Sequence, residues 1–162
     1  ELPLTFHLAP QEGEVYGLID DPGLPQLERS LIKYPKLIFL GHSQTFWAEM
    51  GALDTVADRY GYPRYPIRAE GAVPKLMRRY PNLHGDLSAG SGANALARDE
   101  DYAVNFLEEF QDRLYFGTDI TARDTPTLLV DLLLRFRDDN KISETIFNKI
   151  ARENAVKLLN LE

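Results

Sequence analysis

The stretch LERSLIKYPKLIFLGH, residues 27–42, begins as a helix and ends as a strand. Its first half carries a helical apolar pattern into Tyr34-Pro35. The proline stops the helix, because the residue before it is pushed out of the α region and its ring cannot donate the next helical hydrogen bond. The run LIFL that follows is too short for a helix and ends in Gly41 and His42. VPKLMRRYPNL (residues 73–83) repeats the plan. VNFLEEFQDRLYF (residues 104–116) repeats it without the proline, with Asp112 and Arg113 making the turn after a helix that ends near Phe110.

Aligned by their ends, four segments share one design: LPLTFH (residues 2–7), LIFLGH (37–42), LHGDLS (83–88) and LYFGTD (114–119). Two are continuous apolar runs, the pattern of a strand buried on both faces. A recurring α–β unit with such strands implies a parallel sheet covered by helices, either an open doubly wound sheet or part of a (β/α) barrel.

The remaining segments fit that plan. Pro25 or its neighbours start one helix. DTPTLLVDLLLRFRDD (residues 124–139) reads as a second, with Asp124 or Thr125 as N-cap and Pro126 in the first turn. SETIFNKIARENAVKLLNL (residues 143–161) reads as a last helix capped by Ser143. Residues 45–68, dense in Tyr, Pro and Arg, read as a loop or lid over the strand ends, and SAGSGANALARDED (residues 88–101) as a second flexible loop. Trp47, Tyr62, Tyr65 and Arg68 are candidates for substrate contact or for packing. SGAN (residues 91–94) is too short and lacks the framing of a phosphate loop.

Composition narrows the function classes. The chain has 162 residues, 44% hydrophobic and 27% charged, and nothing divides it into two domains: residues 1–162 read as one unit. Acidic residues outnumber basic ones 25 to 18, giving a net charge of −7, which argues against a nucleic-acid partner. There is no cysteine, so neither disulfides nor thiolate metal sites arise. No apolar run approaches the ~20 residues of a membrane span, and the expected location is cytoplasmic. The chain opens directly on a strand without a methionine, which suggests that its natural start lies upstream.

In parallel α/β folds the C-terminal strand ends share one crevice, where ligands bind and chemistry occurs. Here those positions hold His7, His42, Ser88 and Asp119. Neutral imidazole and carboxylate are the usual non-thiolate donors for zinc, manganese or iron, so the set points to metal-assisted hydrolysis or a related lyase step. Each histidine alone has a structural reading as a hydrogen-bonded residue. His84, near the start of its strand, and Asp86 are read as structural.

LTFHL, YPKLIFLGHS, YPNLHGDLSA, DRLYFGTDI and KIARENAVKLLNL together resemble the C-terminal half of the amidohydrolase-2 family, metal-dependent (β/α)8 barrels of the amidohydrolase superfamily. The resemblance covers essentially the whole chain and implies half a TIM barrel, strands five to eight plus a C-terminal helix. It makes His7 a metal ligand closing strand five. His42, closing strand six, becomes a catalytic residue that orients water or substrate or serves a second metal. Asp119, closing strand eight, becomes metal ligand and proton acceptor. The implied activities are hydrolase, decarboxylase or hydratase on small carboxylated or carbonyl substrates, with zinc as the first choice of divalent metal. The family also needs a His-x-His pair on strand one. This chain has three histidines, none so paired, so metal binding by the chain alone is expected to be weak or absent.

Half a barrel leaves open strand edges and one uncovered face, which predicts pairing of two copies or association with the N-terminal half. The alternative is a non-catalytic half-barrel or proteolytic fragment acting only as an interaction or structural module.

Overall fold

The computed structural model describes residues 2–13 and 16–161. Helix, short turn and strand recur three times, as the repeated sequence pattern requires. The elements are β1 Leu4–Ala9, β2 Leu18–Ile19, α1 Pro25–Lys33, β3 Phe39–His42, α2 Gln44–Ala48, α3 Ala72–Arg79, β4 Leu83–Asp86, α4 Ala89–Ala97, α5 Glu100–Phe110, β5 Leu114–Tyr115 and α6 Leu128–Asp138. The chain closes with α7 Glu144–Asn148, a π-helical stretch Lys149–Glu153 and α8 Asn154–Leu159. The five strands form one parallel sheet in the order β2-β1-β3-β4-β5. This α/β architecture is that of a partial TIM-barrel-like domain. Among the described residues, no helix is long and apolar enough to cross a membrane.

Register separates the two faces of the sheet. Leu4 pairs with Phe39, Phe39 with Leu83, Gly41 with Gly85 and Gly85 with Leu114. With side chains alternating along each strand, Phe6, Leu8, Phe39, Leu83 and Leu114 therefore share one face. That face is buried and packs into one core with Leu27, Leu31, Phe46, Trp47, Met77, Leu96, Phe106 and Phe110 from the helices. Gly41 and Gly85 sit where α2 crosses the strands. A Cβ on Gly41 would lie 2.2 Å from Phe46 Cζ, and one on Gly85 2.8 Å from the Trp47 ring. The two glycines let α2 lie against the sheet.

The opposite face carries Thr5, His7, Leu40, His42, His84, Asp86 and Tyr115; the expectation of strands buried on both sides holds for β5 and the start of β4, where Tyr115 and His84 are buried, and is corrected for β1 and β3. Thr5 is exposed and Leu40, His7, His42 and Asp86 are half-buried. A cavity of about 350 Å³ opens on this face between Thr5, Leu40, Tyr115 and the Ala155, Leu158 and Leu159 side chains of α8.

Two further expectations change. Residues 89–97, read as a flexible loop, form α4, which buries Ser91, Gly92, Ala93, Ala95 and Leu96. Small side chains let this helix press against its neighbours, and that packing outweighs the low helix propensity of its glycines. Helix α6 starts after Thr127, later than the Asp124 or Thr125 cap expected from Pro126. Ser143 does cap the terminal helix, its side chain accepting from Ile146 N–H.

The long segment between β3 and α3 is anchored rather than loose. Arg59, in a 3₁₀ turn (Val56–Tyr60), is fully buried. Its Nη1 donates to the Asp20 carbonyl at 2.8 Å, and its Nε lies 3.1 Å from Glu49 Oε1. Glu49 Oε2 in turn accepts from Gly23 N–H at 2.8 Å. Asp20 caps α1, accepting from Gln26 N–H and Leu27 N–H at 2.9 and 2.8 Å. This ionic knot ties the segment after β3 to the one after β1.

Candidate functional site

The ends of β1 and β3 meet in register, and His7 stands opposite His42. Their ring centroids are 5.7 Å apart. β1 continues two residues past His7 to Ala9, so His7 is level with the end of β3 without closing its own strand. Immediately after His42, Ser43 turns the chain into α2 with φ 131°, an unusual conformation for a residue with a side chain. Its hydroxyl oxygen accepts from Phe46 N–H, capping α2, and from Leu8 N–H of β1 at 3.2 Å. One side chain thus locks the two histidine-bearing strands together. Ala89 and Asp119, following β4 and β5, also have positive φ, 65° and 53°. Ser43 and Ala89 thus hold unusual backbone conformations in the turns that follow β3 and β4.

His7 is covered by the segment entering β2. The Tyr16 ring lies over it at 4.3 Å between centroids. Its Nδ1 is buried without a well-formed hydrogen bond and faces Gly17, where a Cβ would come within 2.8 Å of it. Burial and the neighbouring His42 hold its pKa below the ordinary histidine value.

His42 is the hub. Its Nδ1 lies 3.2 Å from Asp86 Oδ2 and 3.1 Å from Ser88 Oγ, and its Nε2 is 3.9 Å from Asp119 Oδ2. The hydrogen bond to Asp86 raises its pKa and outweighs the opposing effect of burial. Burial pushes the Asp86 carboxyl up, but bonds from His42 and Ser88 more than compensate and leave it below the ordinary value. Asp119 lies four residues beyond β5, in the left-handed conformation that aspartate tolerates, and remains the most open member of the group.

The structure therefore gathers His42, Asp86, Ser88 and Asp119 by direct contacts, with His7 beside His42. Asp86, read from sequence as structural, is drawn into the site. Because Gly41 pairs with Gly85, the next residues, His42 and Asp86, are level across the sheet. The strand β4 ends at Asp86 rather than at Ser88. The signal was present in the Gly-His and Gly-Asp dipeptides, which align once the glycines are paired. His84 stays structural: its Nδ1 accepts from Tyr115 O–H at 2.8 Å and its Nε2 lies 3.2 Å from the Pro81 carbonyl.

Imidazole and carboxylate are the donor types a zinc-like ion takes, but the number falls short. Among the described residues, no group of three or more histidine, aspartate or glutamate side chains converges as a cation site. His42 Nδ1 is already engaged by Asp86 and Ser88. The described residues do not by themselves make a complete metal centre.

In parallel α/β folds, histidines and carboxylates gathered at and just beyond the C-terminal ends of the strands occupy the position where such folds carry their sites. The chain belongs to the amidohydrolase family: the family model described as Amidohydrolase matches residues 20–161. No curated protein and no solved structure matches it.

Proposed function

We propose that the chain is the C-terminal half of a metal-dependent amidohydrolase-like barrel, contributing strands five to eight as β1, β3, β4 and β5. The observation that carries this reading is the level pairing of His7 with His42 on the open face of the sheet, with Asp119 beside His42. An open face bearing Thr5, Leu40 and the site residues suits the interior of a barrel closed by further strands, and so does the exposed apolar edge of Leu4, Leu18 and Ile19. The other half, or failing that a second copy of this chain, is the partner that covers them.

In this reading His7 and Asp119 supply part of a divalent metal site, zinc first and manganese or iron as alternatives, and a His-x-His pair of the other half completes it. Bound there, the metal would supply Lewis acidity and a water of lowered pKa. His42 Nε2 and Asp119 Oδ2, facing each other across 3.9 Å, hold and exchange the proton of the reacting water or substrate. The reaction is hydrolysis, or decarboxylation by the same groups, of a small carboxylated or carbonyl compound.

The test uses the longest natural polypeptide containing this sequence. It should carry a His-x-His at the end of an upstream strand. His42→Asn and Asp119→Asn should each abolish turnover of a panel of small amides, lactones and β-keto or aromatic acids. Full turnover by both variants would leave the non-catalytic module as the correct reading.

A further inference from the structure

Asp86 has no role in the reading above, yet it makes the shortest ionic contact to His42. We infer that Asp86 is a positioning residue that fixes His42 in the Nδ1–H tautomer and so presents Nε2 as a lone pair beside Asp119; this rests on His42 being the proton-transfer group.

An ionised carboxylate only accepts, so a neutral His42 whose Nδ1 lies 3.2 Å from Asp86 Oδ2 gains a hydrogen bond from that contact only with its proton on Nδ1. The other oxygen, Oδ1, accepts from Ser88 N–H at 2.9 Å, and Ser88 Oγ flanks the same imidazole nitrogen at 3.1 Å. The backbone of Asp86 is held from the core side, where Trp47 Nε1–H donates to its carbonyl oxygen at 2.8 Å. Trp47 is almost fully buried and its ring lies against Gly85, so the anchor is rigid. With both carboxylate oxygens and the carbonyl engaged, Asp86 has little freedom to release His42. Nε2 is then an acceptor 3.9 Å from the Asp119 carboxylate, another acceptor. Two acceptors so placed select a species with two protons to give, such as a water donating to each, or a positive centre between them. That is the arrangement a water awaiting deprotonation requires.

The test is the ¹⁵N signature of the His42 ring by long-range proton–nitrogen correlation in this chain, at a pH where its imidazoles are neutral. The wild type should show Nδ1–H. In Asp86→Asn the single amide oxygen goes to Ser88 N–H, the NH₂ faces Nδ1, and the tautomer should flip to Nε2–H. Asp86→Ala should flip it too. An Nε2–H tautomer in the wild type overturns the inference without any variant, and so does Nδ1–H retained in both variants. In the longer polypeptide Asp86→Asn should lower kcat about 10- to 100-fold with KM and metal content unchanged. A flipped tautomer with unaltered kcat supports the positioning role and instead removes His42 from the chemistry.

Discussion

Asn154 Nδ2 donates to the carbonyl oxygens of Leu114 at 2.9 Å and Gln111 at 2.7 Å, hooking the terminal helix onto the outermost strand. One buried amide thus satisfies backbone acceptors of β5 and of the turn before it. The ENAVKLL segment that marks the end of the chain is part of the sheet's edge protection.

Asn154→Ala should therefore destabilise the chain by about 1–3 kcal/mol, since it strands buried acceptors as well as deleting the bonds. Urea unfolding measures it. Asn154→Asp should cost more, because a carboxylate cannot donate to either carbonyl.

His84 predicts a pH dependence whose sign is fixed by burial. Burial, helped by the Arg113 charge, lowers its pKa to about 4 from 6.5. Between those values the unfolded chain takes up a proton that the folded chain refuses. Its contribution is intact above pH 6.5, is lost as pH falls towards 4, and then levels off, with a slope of at most about 1.4 kcal/mol per pH unit. The difference in unfolding free energy between wild type and His84→Gln, followed across this range, should isolate the effect.

How much of this was legible in the sequence depended on which interactions are local. Helices α1, α3 and α5 were readable because apolar spacing and Pro35 or Pro81 act within a few residues. His42 was found because Gly41-His42 interrupts an apolar run. Asp86 was missed because its significance lies in register: only the pairing of Gly41 with Gly85 brings it level with His42. Helix α4 was missed because its stability comes from small residues fitting distant partners, which no local pattern records. β2 pairs only two residues, Leu18 and Ile19, with the end of β1.

Gly17→Ala should disturb His7. The position has φ 135°, and a Cβ would lie 2.7 Å from the His7 carbonyl oxygen and 2.8 Å from its Nδ1. Backbone strain and the clash together should cost about 1–3 kcal/mol. The His7 ring resonances should shift, and those of His84 should not.

Arg59 should be indispensable to the segment after β3. Arg59→Met leaves the Glu49 carboxylate buried with Gly23 N–H as its remaining bond, at a cost of about 3–5 kcal/mol. Removing both charges in Arg59→Met with Glu49→Gln should cost less than the single change. A double-mutant cycle in urea reads this directly.

A chain that carries part of a metal-dependent site must change metal retention when its ligands are removed. The most direct test is the metal content, after exhaustive dialysis, of the longest natural polypeptide containing the sequence, beside its His7→Ala/Asp119→Ala variant. The account predicts a stoichiometric divalent metal retained by the wild type and lost from a variant that still folds. Equal metal content in the two proteins would contradict it.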